Sequence, residues 1–214
     1  MGIETAQRRE IVTTGPTVFV IDDNPGVRKS LQALVEATGL AVETYASGRE
    51  FLATYDAQRA GCLVLDIRLR GESGLDLQDE LRKRNATLPI IVMTGYADVP
   101  TSVRAFKGGA IDFLRKPVAP KKLIAQVHEA IEIDRRARAV ATQRGIVADR
   151  IAQLTPRERQ VMELLAVGYT STEIATSLGS SVRTVEGHRR TVLRKMEVDS
   201  AVQLARAIAG LRRP

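Results

Sequence analysis

Five side chains have the types and spacing to do chemistry: the adjacent acids Asp22 and Asp23, then Asp66, Thr94 and Lys116. Each sits at the end of a short apolar run. Thr17–Ile21 precedes the acid pair, Cys62–Asp66 ends on Asp66, Leu88–Met93 precedes Thr94, and Asp112–Leu114 precedes Lys116. In an open parallel sheet ordered 2-1-3-4-5, the first and third strands flank the switch point, and groups at the strand ends converge in one crevice. Three carboxylates there would repel by ~4 kcal/mol per pair at about 4 Å with an effective dielectric of about 20. A hard divalent cation resolves this, and Mg²⁺ held by one or two carboxylates plus waters fits best. An acid left with a free oxygen is then a nucleophile for phosphoryl transfer, with the metal and Lys116 neutralising the charge that develops. Taken singly, each residue has a plainer use: Asp22 as a helix cap, Thr94 in a turn, Lys116 as a solvated charge. Their coincidence at one sheet edge favours the crevice.

The elements that must position these groups follow from hydrophobic patterning. A fifth candidate strand is Ala41–Tyr45, and all five are short and largely apolar on both faces, as buried parallel strands are. Amphipathic stretches lie between them at Val27–Thr38, Gly48–Tyr55, Leu75–Arg84 and Pro100–Lys107, and a fifth helix begins near Pro120. The pattern predicts a doubly wound (βα)5 α/β domain over residues 16–130. With aromatics at 4% and no Trp, its core must be aliphatic. The single cysteine, Cys62, reads as a buried strand thiol, so no disulfide framework is available.

Beyond it the character changes. Residues 122–153 carry no strand signal and are rich in Ala and Arg, and residues 131–150 are expected to form a helical linker, with Gly145 as its one point of interruption. From Leu154 onward the pattern is short and all helical. Thr155-Pro156 with Glu158 opens a first helix, and Thr170 or Ser171 opens a second through Leu178. Gly179 breaks it, Ser181 caps a third running to about Met196, and Ser200–Ala209 forms a fourth. Residues 151–214 thus read as an all-α four-helix unit. Residues 1–120 are electrically neutral, so the whole +7 net charge lies in the C-terminal 94 residues. A basic half joined to a neutral half suggests a polyanion-binding module attached to something else.

On a winding of about 100° per residue, Val185, Val192 and Met196 of the third helix fall on one stripe. Arg183, Gly187, Arg190 and Arg194 fall on the opposite side, with Glu186 at the margin. One apolar stripe backed by three cations, after a short helix and a glycine turn, suits docking in a DNA major groove. Gly187 costs ~1 kcal/mol relative to Ala in a helix interior. Close approach of its backbone to the bases would account for it, as would simple tolerance.

The order and spacing of Asp22-Asp23, Asp66 after Val64-Leu65, Thr94-Gly95 and Lys116-Pro117 resemble the receiver family of response regulators. That resemblance implies that Asp66 is the phosphoacceptor and that Asp23, Asp66 and the Arg68 carbonyl hold Mg²⁺, with Asp22 acting through water. It also implies that Thr94 and Lys116 grip the phosphoryl oxygens, that Lys116-Pro117 is cis, and that a cognate sensor histidine kinase is the donor. Phe113 stands at the family's aromatic switch position, and core packing explains it equally well. This chain has Asn24 where many relatives have a third acid, and Leu69-Arg70 where many have Met-Pro, which is expected to loosen that loop.

Residues 150–212 resemble the LuxR/FixJ-type helix-turn-helix through Leu154-Thr155, Glu158-Arg159, Gly168, Glu173-Ile174-Ala175, Thr184-Val185 and His188. That implies Thr184 and Arg190 on phosphates of double-stranded DNA, Arg183, Glu186 and Gly187 toward bases, and RNA polymerase as a further partner. Ser171 and Gly187 depart from residues common in relatives, so the DNA sequence read does not carry over. The whole is expected to be a cytoplasmic transcription factor, not an enzyme beyond its own phosphorylation and slow dephosphorylation, that forms a homodimer when phosphorylated. No apolar run approaches the ~18 residues of a membrane span. Two rivals stand beside this reading: a stand-alone phosphatase or phosphotransferase, and a DNA-binding protein whose receiver serves only for docking.

Overall fold

The computed structural model describes residues 15–95 and 99–212. Two compact units divide between Ala137 and Arg138. In the first, β1 (Thr17–Ile21), α1 (Pro25–Glu36), β2 (Ala41–Tyr45), α2 (Gly48–Thr54) and β3 (Gly61–Asp66) are followed by a two-stranded ribbon, β4 (Arg68–Leu69) and β5 (Glu72–Ser73). Then come α3 (Gly74–Lys83), β6 (Ile90–Thr94), α4 (Val99–Lys107), β7 (Ala110–Arg115) and the start of α5 (Pro120–Ala152). The main sheet is parallel, in the order β2-β1-β3-β6-β7. With the ribbon set aside, this is the expected 2-1-3-4-5.

Alternation along the strands builds two cores, because successive side chains point to opposite faces. Phe19, Ile21, Leu63, Leu65 and Val92 face α2, α3 and α4, where Phe51, Leu77, Leu81 and Ala105 meet them. Val18, Val20, Cys62, Val64, Ile91 and Met93 face α1 and α5, against Val35, Leu123, Val127 and Ala130. Each fully buried aliphatic contributes about 1.5–3 kcal/mol, so this double burial supplies the main drive to fold. Helix starts are set by side-chain caps: Asn24, Ser47 and Ser73 accept from amides of the first turns of α1, α2 and α3. At the start of β3, Gly61 has φ +150°, and a Cβ there would lie 1.8 Å from the Thr17 carbonyl oxygen. Only glycine lets β1 and β3 pair at this point.

The helix α5 runs from Pro120 to Ala152 through Gly145, without the interruption that glycine suggested. Within the expected linker, Asp134 is buried in the first unit, its Oδ2 accepting from the Gly61 amide at 2.9 Å. Val147 is buried in the core of the second. The second unit adds α6 (Pro156–Ala166), α7 (Ser171–Ser177), α8 (Val182–Met196) and α9 (Ala201–Arg212) around Leu154, Val161, Leu165, Ile174, Val185, Val192, Met196 and Leu204. Thr155 with Glu158, and Thr170 with Glu173, form reciprocal capping boxes, and Ser181 caps α8. Gly179, at φ +59°, makes the turn between α7 and α8. Among the described residues no helix is long and apolar enough to cross a membrane.

Candidate functional site

The sheet order puts the ends of β1, β3, β6 and β7 side by side, and with them Asp22, Asp23, Asp66, Thr94 and Lys116. Carboxylate oxygens of Asp22, Asp23 and Asp66 lie within 4.8 Å of one another. Lys116 Nζ donates to Asp22 Oδ2 at 2.5 Å and to Asp66 Oδ2 at 2.7 Å. Asp22 is fully buried, and its Oδ1 accepts from the Asn24 amide at 2.9 Å. Asp66 Oδ1 accepts from the Arg68 amide at 3.4 Å. Buried Thr94 is joined to the lysine through the backbone, its carbonyl accepting from the Lys116 amide at 2.7 Å. The Lys116-Pro117 peptide bond is cis.

One ammonium serves two carboxylates, and the protonation energetics show it. Burial pushes the Asp66 carboxyl above its ordinary range; Lys116 opposes this, and Asp22 adds to it. Burial also pulls Lys116 down, but hydrogen bonds and attraction from both acids outweigh it and leave the lysine raised. The lysine is well satisfied, while each acid holds a share of one cation. With Asp23 alongside, a negative excess remains on hard oxygen donors confined within 4.8 Å, which suits a hard divalent cation.

The segment after Asp66 is ordered by pairing. Arg68 pairs with Ser73 and Leu69 with Glu72 across the β4–β5 turn, Leu69 is buried, and a Glu72 carboxylate oxygen accepts from the Gly48 amide. Leu69-Arg70, where a looser loop is expected, lies in this paired ribbon and its turn. At Gly74 a Cβ would lie 2.2 Å from the Asp66 carbonyl oxygen, so α3 starts directly against the backbone of Asp66. Asn24 turns toward α1, its Oδ1 accepting from Gly26 and Val27 amides. Phe113, half-buried on β7, packs with the core that includes Ala105 of α4.

In the second unit, α8 buries Val185, Val192 and Met196 and exposes Arg183, Thr184, Glu186, Gly187, Arg190 and Arg194. Thr184 is partly committed to the cap, with its Oγ1 2.8 Å from Ser181 Oγ. A Cβ on Gly187 would meet nothing within 4 Å, so packing within the chain does not require the glycine. Three other cations of this unit anchor the fold. Lys195 Nζ donates to buried Glu158 at 2.7 Å and to the Gln153 carbonyl at 3.2 Å. Arg157 donates to the Leu178 carbonyl at 2.7 Å, and Arg150 donates to the Met196 carbonyl at 3.1 Å and pairs with Glu197. Sequence reading missed these anchors, the β4–β5 ribbon and the Asp134–Gly61 bond. Arg70-Gly71 was the only local cue, a turn dipeptide between two short extended stretches.

A crevice of three acids and a lysine at the switch point of a doubly wound sheet, joined to a helix-turn-helix with a basic outer face, defines a response regulator that binds DNA. The family model described as the response regulator receiver domain matches residues 18–128, and that of the LuxR family of bacterial regulatory proteins matches residues 152–208. The chain is 41% identical to Nodulation protein W of Bradyrhizobium diazoefficiens, over 91% of this chain and 86% of that one. It is 44% identical to the transcriptional regulatory protein FixJ of Azorhizobium caulinodans, over 88% and 90%. The solved structure of the response regulator StyR superposes with a TM-score of 0.82 at 35% identity, covering 91% of this chain and 98% of that one. The chain belongs to the FixJ-type, LuxR-family response regulators, which are transcription regulators.

Proposed function

We propose that this protein is a phosphorylation-switched transcription factor of the cytoplasm, with residues 16–130 as receiver, 131–150 as connecting helix and 151–214 as DNA-binding domain. The observation that carries the reading is the Asp66 carboxylate at the end of β3, bound by Lys116 Nζ at 2.7 Å inside the three-acid cluster. An Asp66 oxygen attacks the phosphorus of a phosphohistidine on a sensor kinase. The P–N bond breaks with its electron pair going to the imidazole nitrogen, and an O–P bond forms on Asp66. Lys116 exchanges its Asp66 contact for a phosphoryl oxygen while keeping Asp22, and the Thr94 hydroxyl donates to another. Asp23, Asp66 and the Arg68 carbonyl would hold Mg²⁺, with Asp22 acting through water, and the ion would supply further neutralisation of the phosphoryl charge.

Movement of Thr94 toward the phosphoryl group lets Phe113 repack beside α4. The outer face of α4 exposes Val99, Val103 and Phe106 at helical spacing, which supports this face as the homodimer surface. Two DNA-binding domains then address a two-fold-related site on double-stranded DNA, where RNA polymerase is the further partner. Moving the receiver from about 1:99 to 99:1 requires ~5.5 kcal/mol of differential stabilisation.

The test is phosphate incorporation from a small phosphoryl donor, with solution mass by light scattering, on wild type and Asp66→Asn. The reading expects about one acid-stable, hydroxylamine-labile phosphoryl per wild-type chain, a shift from monomer to dimer, and neither in Asp66→Asn. Multiple turnovers without a stable phosphoprotein would favour the phosphotransferase alternative. Unchanged promoter regulation by Asp66→Asn would favour the docking-only receiver.

A further inference from the structure

The turn of the β4–β5 ribbon carries a cation into the phosphorylation crevice. Arg70 Nε lies 3.4 Å from Asp23 Oδ2, although the arginine side chain is 91% exposed. Arg70 and Gly71 are the two central residues of this turn, with Gly71 at φ +76° and Arg70 at negative φ. That pattern is of type II, whose first central position suits proline and whose second needs glycine. The backbone at position 70 therefore has no need of an arginine, and the side chain is not spent on packing. Its partner, Asp23, is the least buried of the three acids and the one that Lys116 does not bond. Two cations thus face the acids in different ways: Lys116 bonds Asp22 and Asp66 from within, and the exposed Arg70 lies beside Asp23 from the solvent side.

We propose that Arg70 competes with the divalent cation for Asp23 and sets the metal affinity of the receiver. This rests on the reading of the acid cluster as the Mg²⁺ site. A bound cation must draw the Asp23 carboxylate away from the guanidinium, and the displaced guanidinium stays close enough to repel it. Both effects weaken metal binding. Because the arm is exposed, its field acts through a solvent-like dielectric, so loss of the charge is expected to tighten binding about three- to tenfold at low salt and less as salt rises. The consequence is a receiver whose readiness for phosphoryl transfer needs a divalent cation concentration about three- to tenfold higher at low salt than its acids alone would dictate.

Mn²⁺ binding to the full chain, measured as loss of the free-ion electron paramagnetic resonance signal, tests this without any phosphoryl transfer. Arg70→Ala is expected to bind Mn²⁺ about three- to tenfold more tightly than wild type at low ionic strength, with the gap narrowing in salt. Arg70→Lys, which keeps the charge, stays near wild type. Arg70→Pro removes the charge while suiting the turn, and it must behave like Arg70→Ala if charge and not loop looseness is the cause. Equal affinities for wild type, Arg70→Ala and Arg70→Pro, with Asp23→Asn weakened, would overturn the role of Arg70 and leave the metal site standing. Unchanged Mn²⁺ binding in Asp23→Asn and Asp66→Asn would overturn the metal site itself, and this inference with it.

Discussion

Replacing Lys116 by methionine keeps the aliphatic stem and removes the ammonium that Asp22 and Asp66 share at 2.5 and 2.7 Å. Asp22 is fully buried and Asp66 nearly so, so two carboxylates lose their cation where water cannot replace it. Breaking a buried pair from one side costs about 3–5 kcal/mol; the lysine side chain is 23% exposed, which favours the lower end, about 3 kcal/mol. The reciprocal change, Asp66→Asn, has the opposite sign. A carboxyl whose folded pKa is raised binds its proton more tightly folded than unfolded. Its stabilising share is therefore present only below the unfolded value of 3.8 and is lost as pH rises through the raised folded value. At neutral pH an ionised Asp66 burdens the fold, and the amide relieves it. In metal-free urea titrations, with tyrosine near-ultraviolet dichroism reporting on the receiver, Lys116→Met is expected to lower the midpoint by roughly 1 M or more. Asp66→Asn should leave it unchanged or raise it, and the double variant should recover much of the loss. Mg²⁺ should stabilise Lys116→Met more than wild type. A Lys116→Met midpoint equal to wild type, or an Asp66→Asn loss as large, would refute the shared-cation account.

Four further outcomes are expected. Arg190→Ala and Arg194→Ala should each weaken binding to specific and non-specific DNA, lowering the slope of log affinity on log salt by about 0.9 for each phosphate no longer neutralised, as read by fluorescence anisotropy. Gly187→Ala should stabilise α8 by about 0.5–1 kcal/mol in thermal unfolding, since its Cβ meets nothing within 4 Å, while target affinity falls if the backbone approaches the bases there. Burial pushes the Cys62 thiol up to about 12, with the charge of Asp134 adding to it, so iodoacetamide at neutral pH should modify Cys62 only in the urea-unfolded chain. Gly74→Ala should cost about 2–3 kcal/mol in the urea midpoint and abolish phosphoryl acceptance, because its Cβ would press on the Asp66 carbonyl 2.2 Å away.

Both sites were legible in the sequence for a common reason: their residues hang from local patterns. Asp22, Asp66, Thr94 and Lys116 each end or follow an apolar strand, and a parallel sheet gathers strand ends without help from the side chains. The exposed face of α8 follows from winding alone, and its cap residue Ser181 and turn residue Gly179 are local signals. What stayed illegible is the set of long-range polar ties. Asp134 reaches Gly61 across 73 positions, Lys195 reaches Glu158 across 37, and Arg150 reaches Met196 across 46. Periodicity constrains which face a charged residue occupies, but not which distant backbone group that face meets. The β4–β5 ribbon escaped for a different reason: two-residue strands are too short for alternation to register.

The two sites hold their charge in opposite ways, and this bears on where regulation acts. In the receiver, Lys116 serves two buried acids and the exposed Arg70 stands by the third, so the addition of a phosphoryl group and a divalent cation would change a balance that still leaves the acids in excess. In the second unit the structural cations are matched to carbonyls or acids, the starts of α6, α7 and α8 are capped, and Glu197 closes α8 in a left-handed conformation. Arg183, Arg190 and Arg194 stand on the exposed face of α8. On the proposed function, control falls on whether two such domains are presented together. Pairing two heads makes the second contact intramolecular, which strengthens binding by orders of magnitude without altering a residue of α8.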